Sequence, residues 1–196
     1  LSHIYLFYGE EDFLIDEEIL SIQNKAIKLY ADQLTIERLD GKSISGKEIS
    51  GIISQPSLFN PNRLIIVIDY DFEECDLLLP CLKNMPPGLF LVFTSKKIDS
   101  RKKIIKYLKD AAQVAEFKPF APWEEYKLIS WISSRVGKYG KSINSEAAAF
   151  LSEIYGASLR QVSIEIDKVV TYLGEGTMIR KENIIDTAVA GQINAF

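Results

Sequence analysis

The sequence is poor in the residues that build catalytic and metal sites. It has one histidine, His3, and two cysteines, Cys75 and Cys81, among 196 residues. A single histidine excludes any site with two histidine ligands, and the cysteines lack the spacing of a zinc site. No GxSxG motif is present to expose a nucleophilic serine. We therefore expect no metal site, and we interpret the cysteines as buried or half-buried free thiols and His3 as a surface residue.

Long hydrophobic runs and an excess of positive charge are also absent. The longest apolar runs, such as 64–68 and 89–93, are far shorter than the roughly 20 residues that cross a membrane, and the N-terminus lacks a signal-peptide pattern. With 23 basic and 27 acidic residues the net charge is −4, so no global basic surface exists for nucleic acid or an anionic membrane. The sequence predicts a cytoplasmic protein without a membrane role, in which any DNA contact is local.

Strand and helix patterns alternate in the first part of the chain. The central strand segments are too uniformly apolar to have one face in water, which is typical of a mostly parallel sheet with helices on both sides. The sequence therefore predicts an α/β domain. Its strands are expected at 4–8, 34–39, 64–68, 89–94 and 113–117, and its helices at 12–29, 45–54, 73–84 and 100–109.

The pattern changes after the stretch Lys118–Pro122, beyond which the periodicity is helical. Leu159, Val162, Ile166, Val169 and Leu173 form one apolar stripe at helical spacing. We expect a boundary near 119–122, with an α/β domain at 1–120 and a small all-α lid domain at 121–196. The helices of the lid are predicted at 123–139, 145–155, 159–173 and 181–188.

An α/β domain followed by a helical lid is the layout of many nucleotide-dependent machines, in which the loop after the first strand binds phosphate. A phosphate-binding loop would read GxxxxGK followed by Ser or Thr, whereas this chain reads GEEDFLID from Gly9 to Asp16. Glu10, Glu11 and Asp12 stand where a triphosphate would lie. Acids suit the start of a helix, here with Asp12 as the expected N-cap, but they repel an anion. We therefore expect no ATPase site, no cofactor and no catalytic residue.

Two adjacent apolar residues, Leu58 and Phe59, stand out in the stretch QPSLFNPNRLIIV, which runs from Gln55 to Val67. Neighbouring side chains do not share one face of a strand or a helix, and Pro56 and Pro61 disfavour both structures. The pair is therefore expected on a loop. Either the core beneath strand 64–68 or a partner must bury it, and the residues alone leave both alternatives open.

Five stretches, in the order of one family and over nearly the whole chain, resemble the delta subunit of the bacterial DNA polymerase III clamp loader. They are YLFYGEEDFLIDEEI, QPSLFNPNRLIIV, PPGLFLVFTSKKIDSRKKIIKYL, VAEFKPF and GASLRQVSIEIDKVVTYLG. The resemblance implies an AAA+-like, P-loop-type module that has lost its phosphate loop. It implies an accessory, non-catalytic subunit of the DNA polymerase III holoenzyme, whose activity is DNA-directed nucleotidyl transfer. A third, collar domain, through which the gamma/tau and delta-prime subunits assemble, is expected to be absent from this chain.

In the family, the loop matching QPSLF binds the beta sliding clamp and favours opening of the ring during DNA replication. The resemblance implies that Gln55 bonds the rim of a clamp pocket, that Ser57 is a small spacer, and that Leu58 and Phe59 fill the pocket. It also matches Arg160 to an ATP-sensing arginine, which we interpret as structural or vestigial. One basic cluster has two readings, either a solvated corner or an indirect contact with primer–template DNA or the clamp rim; it comprises Lys96, Lys97, Arg101, Lys102 and Lys103.

Two alternatives remain. A diverged AAA+ ATPase would be revealed by binding of ATP with magnesium in isothermal titration. A sister, delta-prime-like subunit is disfavoured because the zinc-binding cysteine cluster and the Ser-Arg-Cys motif of that group are absent.

Overall fold

A computed structural model describes residues 3–55, 60–73, 75 and 77–193. The chain divides into two compact units, Leu1–Lys118 and Pro119–Phe196. Among the described residues, no helix has the length and the apolar character needed to cross a membrane.

The first unit is built on a five-stranded sheet in which every pairing is parallel. The strand order is β2-β3-β4-β1-β5. The apolar strand β4 is wholly buried, and β3 is buried from Leu64 to Val67, as their sequences predict. The strands are β1 (Ile4–Gly9), β2 (Leu34–Asp40), β3 (Asn62–Ile68), β4 (Leu89–Ser95) and β5 (Gln113–Phe117).

Helices cover both faces of this sheet, so the predicted α/β fold class is confirmed. Within β3, Leu64 and Ile66 face one layer, whereas Ile65 and Val67 face the other. The first layer contains α1, and the second contains α2, α3 and α4. These helices are α1 (Asp12–Tyr30), α2 (Gly46–Ser54), α3 (Leu78–Lys83) and α4 (Lys103–Ala111).

Two helices begin later than predicted, because aspartate side chains fold the preceding chain into turns. Before α3, the Asp71 carboxylate accepts the N–H of Glu73 at 2.9 Å, and Phe72 has a left-handed φ of 58°. Before α4, the Asp99 carboxylate accepts the N–H of Arg101 at 3.0 Å. Such local bonds compete with helical hydrogen bonding, so the predicted starts at 73 and 100 were wrong.

The second unit contains four α-helices and a small parallel sheet that the sequence did not predict. The apolar stripe of α7 is confirmed, since Leu159, Val162, Ile166 and Val169 are buried and Leu173 is half-buried. A short 3-10 helix, Pro122–Glu124, precedes α5. The elements are α5 (Glu125–Gly137), β6 (Ser142–Ile143), α6 (Ser145–Tyr155), α7 (Leu159–Leu173), β7 (Met178–Ile179) and α8 (Lys181–Ile193).

Candidate functional site

The predicted binding segment, Gln55 to Phe59, connects α2 to β3. Ser57, Leu58 and Phe59 lie outside the described residues, whereas Gln55 is described and exposed. The structure therefore defines the site by its two flanks, namely the end of α2 with Gln55 and the stretch Asn60–Arg63.

On the N-terminal flank, α2 is fixed to the sheet before it ends. A capping box between Ser45 and Glu48 begins the helix, and hydrogen bonds from Ser45 lower the pKa of Glu48. Ile49 and Ile53 are buried against the sheet. Gln55 then adopts an extended conformation, while its N–H still donates to the carbonyl of Gly51 at 3.1 Å. The start of the segment thus has a defined position and direction.

Arg63, at the start of β3, reaches back to this flank. Its Nη1 atom donates to the carbonyl oxygens of Ile52 and Gln55, each at 3.0 Å. Its Nε and Nη2 atoms donate to Glu37 Oε1 at 3.0 and 2.9 Å. The carbonyls at the end of a helix lack intrahelical partners and carry partial negative charge, so a guanidinium satisfies them well.

The C-terminal flank is held by three further contacts. Asn60 donates from Nδ2 to the Thr35 hydroxyl on β2 at 3.0 Å. Pro61 lies against the turn before β4, where a β-carbon on Gly88 would lie 2.3 Å from the Pro61 carbonyl oxygen. Only glycine fits there, also because Gly88 has a left-handed φ of 78°. The N–H of Arg63 donates to the Gly88 carbonyl at 2.8 Å.

The family resemblance names Gln55, whose role stays a prediction, but no sequence pattern pointed to Arg63 or Glu37. These two residues are 26 positions apart and meet only because β2 and β3 pair in parallel. The available signal was weak, since Arg63 is a charged residue at the entrance of an otherwise apolar strand.

The basic cluster forms the corner between β4 and α4. Lys96, Lys97 and Lys103 are exposed. Arg101 is paired with Asp99, with Nε–Oδ1 and Nη2–Oδ2 distances of 2.9 and 2.8 Å.

Asp99 and Lys102 show how many charges of the basic cluster are engaged by contacts within the protein. The Arg101 side chain, followed by the Arg101 backbone N–H, lowers the pKa of Asp99 from 3.8 to about 2. Lys102 Nζ donates to the Phe72 carbonyl at 2.9 Å. Two of the five charges are therefore engaged within the protein, and contact of the other three with DNA or the clamp rim stays a prediction.

At the position of a phosphate loop, the chain provides its own anion. The Glu11 side chain accepts the N–H of Phe13 at 3.3 Å and caps α1, so the expectation that Asp12 is the N-cap was wrong. Glu11 is only 9% exposed, and its N–H donates to the Phe117 carbonyl at 3.2 Å. A carboxylate thus occupies the start of the helix, which is the kind of position where helices can bind a phosphate.

Other titratable side chains of the described residues have structural contacts. Asp69 pairs with Lys42 at 3.0 Å, and its N–H donates to the Thr94 hydroxyl at 2.9 Å. Among the residues that the structure describes, no group of three or more His, Cys, Asp or Glu side chains has a metal-binding arrangement. His3 is exposed and stacks on Phe90 with the ring centroids 5.4 Å apart. As predicted, the Cys75 thiol is buried and the Cys81 thiol is half-buried, and neither forms a disulfide within the part of the chain that the structure describes.

Comparison with known protein families gives one match over more than half of the chain. The family model for the DNA polymerase III delta subunit matches residues 5–118, a range that includes the predicted binding segment and both flanks. The chain is also 19% identical over 208 residues to a probable DNA polymerase III subunit delta of Aquifex aeolicus (strain VF5). That alignment covers 100% of this chain and 58% of the relative.

Solved structures share the fold. The DNA clamp loader delta protein of Bacillus subtilis matches with a TM-score of 0.75 and 21% identity, over 95% of this chain and 58% of that one. A mutant RuvB of Thermotoga maritima matches with a TM-score of 0.50 and 14% identity, over 97% of this chain and 62% of that one. These likenesses confirm the predicted AAA+-like fold, and the chain spans 58% of the length of both delta relatives.

Proposed function

The chain belongs to the DNA polymerase III delta subunit family, and on that premise we propose that it binds the beta sliding clamp and favours the open form of the ring during replication. The observation that carries this proposal is the family match itself, because it spans the whole predicted binding segment. The described geometry supports it, since both flanks of the segment are held by hydrogen bonds to neighbouring elements.

The binding segment works as an apolar plug with a polar edge. Leu58 and Phe59 enter a hydrophobic pocket on the clamp. Ser57 is a small spacer before this pair, and Gln55 hydrogen-bonds the rim of the pocket. Burying each large apolar side chain contributes roughly 1.5–3 kcal/mol, so the pair supplies about 3–6 kcal/mol before ordering costs. That is the size of a hot spot at the centre of a small interface.

The work of this subunit is mechanical. A protein that binds the open ring more tightly than the closed ring shifts the population towards the open form by that difference in affinity. This action needs no nucleotide, and the Glu11 cap at the start of α1 supports a subunit without its own ATPase site. The ATP-dependent control then comes from ATP-binding neighbours in the loader, in which the gamma/tau and delta-prime subunits assemble through a collar domain.

The basic cluster has a secondary role in the same process. Lys96, Lys97 and Lys103 are exposed at one corner, and this exposure supports a contact with phosphates or with the clamp rim. Because three charges release few counterions, contact with primer–template DNA is supplementary and indirect. A role in replication implies that the protein acts in the cytoplasm.

The test is a titration of the purified chain with a purified beta clamp. We expect the double change Leu58→Ala with Phe59→Ala to weaken binding about a hundredfold or more, because both plugs are lost and a tenfold loss corresponds to roughly 1.4 kcal/mol. The matched control is Leu20→Ala with Ile27→Ala, which removes two exposed apolar side chains from α1 and should leave affinity unchanged. Unchanged affinity of the first variant, with its circular dichroism intact, would overturn the proposal.

A further inference from the structure

Arg63 joins three elements beside the binding segment. It belongs to β3, it donates to the Ile52 and Gln55 carbonyls at the end of α2, and it pairs with Glu37 on β2. Its side chain is only 12% exposed. A largely buried guanidinium is stable when its donors are satisfied, and these partners engage Nε, Nη1 and Nη2 together.

The arrangement requires arginine rather than any cation. The guanidinium is planar and holds its donors in a fixed fork, so one edge faces Glu37 while Nη1 bridges two carbonyls. A lysine ammonium is a single point on a flexible stem and reaches only part of this set. The positive charge of Arg63 is therefore not sufficient for these contacts, which also need the geometry of the guanidinium.

The packing of α2 and the pairing of β3 bring Gln55 and Arg63 near each other, and the hydrogen bond from Arg63 to the Gln55 carbonyl links the two ends of the segment directly. Ordering these ends has an entropic cost, part of which the free chain meets through this contact rather than on meeting a partner. A loop whose ends are already held loses less freedom on binding, so its affinity is higher. From this geometry we propose that Arg63 is a positioning residue that presets the ends of the segment for the clamp; this inference rests on the proposed function of that segment.

The first test compares Arg63→Lys and Arg63→Ala in the full chain by titration with the purified beta clamp. Both changes should weaken binding about tenfold, which corresponds to roughly 1.4 kcal/mol, because neither side chain holds both carbonyls and Glu37 at once. The matched control is Arg38→Ala, which removes an exposed arginine that donates to Gln23 on the other side of β2 and should leave affinity unchanged. Affinity of Arg63→Lys equal to that of the unmodified chain would overturn the proposal.

A second measurement, made without the clamp, separates positioning from a general loss of stability. Hydrogen exchange at the amides of Gln55 and Asn60 should become faster in Arg63→Lys, whereas exchange in the buried strand β4 should stay the same. Arg38→Ala should change neither. Equal acceleration in β4 would indicate a merely structural role for Arg63 and would contradict the proposal.

The two proposals fail in different ways. If the unmodified chain does not bind the clamp, the proposed function is wrong, while hydrogen exchange still decides whether Arg63 holds the segment. If the unmodified chain binds and the Leu58 and Phe59 changes abolish binding, but Arg63→Lys has no effect, only the role of Arg63 is refuted.

Discussion

Asp99 and Arg101 show how one exposed pair sets the charge of a surface corner. The bidentate contact lowers the pKa of Asp99 to about 2, so the carboxylate stays ionised across the physiological range and offsets one charge of the basic cluster. The folded pKa lies below the ordinary value of 3.8. Asp99 therefore stabilises the fold above that ordinary value, and this contribution is lost as the pH falls through about 2.

Removal of the Arg101 side chain should raise the pKa of Asp99 part of the way back towards 3.8. The rise should be incomplete, because the backbone N–H of residue 101 still donates to the carboxylate. The measurement is an NMR titration of the Asp99 carboxyl in Arg101→Ala. Lys103→Ala, at the same corner, is the control and should leave the midpoint in place; a midpoint that stays near 2 in Arg101→Ala would show that the side chain is not the main cause.

At the residue scale, the sequence shows patterns among neighbouring positions, but it does not show contacts between residues that are far apart along the chain. Two prolines and an adjacent apolar pair predict a loop for Leu58 and Phe59, whereas the binding roles of Gln55, Leu58 and Phe59 come from the family resemblance and remain predictions. Sequence reasoning missed Arg63 and Glu37, because only the parallel pairing of β2 with β3 makes them neighbours.

Among the elements, the end of β1 shows how closely two neighbouring strands approach each other. Gly9 pairs with Phe117 on β5, and a β-carbon at Gly9 would lie 2.0 Å from the Phe117 carbonyl oxygen. Its φ of 131° is also unfavourable for other residues. This glycine therefore serves the close approach of β1 to β5 rather than a phosphate.

Gly9→Ala should lower the free energy of unfolding by about 1–3 kcal/mol or more, because it combines backbone strain with a steric clash. Gly51→Ala is the matched control. It lies inside α2 with open space around its β-carbon position, so it should raise the free energy of unfolding by about 0.5–1 kcal/mol. Urea unfolding measures both; equal stability of Gly9→Ala and the unmodified chain would contradict the packing described for β1.

The elements that the sequence predicted well are those with long, regular patterns. The bounds of α6 and α7 agree with the prediction because apolar spacing and terminal glycines mark them. The starts of α3 and α4 were wrong because Asp71 and Asp99 bond locally. The small sheet of β6 and β7 was missed because two residues in a strand are too few to show alternation.

For the whole molecule, the first unit contains all strands of its sheet and the hydrophobic clusters that cover them. The five strands and the buried clusters on the two sheet faces come from residues 4–117. A unit with its own core is expected to fold independently. On this basis we propose residues 1–120 as the clamp-binding domain and 121–196 as the lid domain.

A chain that ends at Lys118 should unfold in one cooperative transition and bind the clamp within about twofold of the longer chain, because separate sites contribute independently. Circular dichroism during urea unfolding and the clamp titration give the two readouts. The comparison is with the 196-residue chain under the same conditions. A truncated chain that folds but has lost most of its clamp affinity would place part of the binding site in the second unit.

The Glu11 cap also limits how the start of α1 could be redesigned to bind an anion. A tethered group acts as though it were present at roughly millimolar concentration, and this carboxylate is joined by only one residue to the N–H that it binds. The carboxylate therefore competes with any free anion for this N–H. Introducing a glycine-rich loop and a lysine would not by itself create a phosphate site while Glu11 remains, and removing Glu11 would loosen the first turn of α1. The Glu11 cap and a phosphate bound at the same helix start would exclude each other.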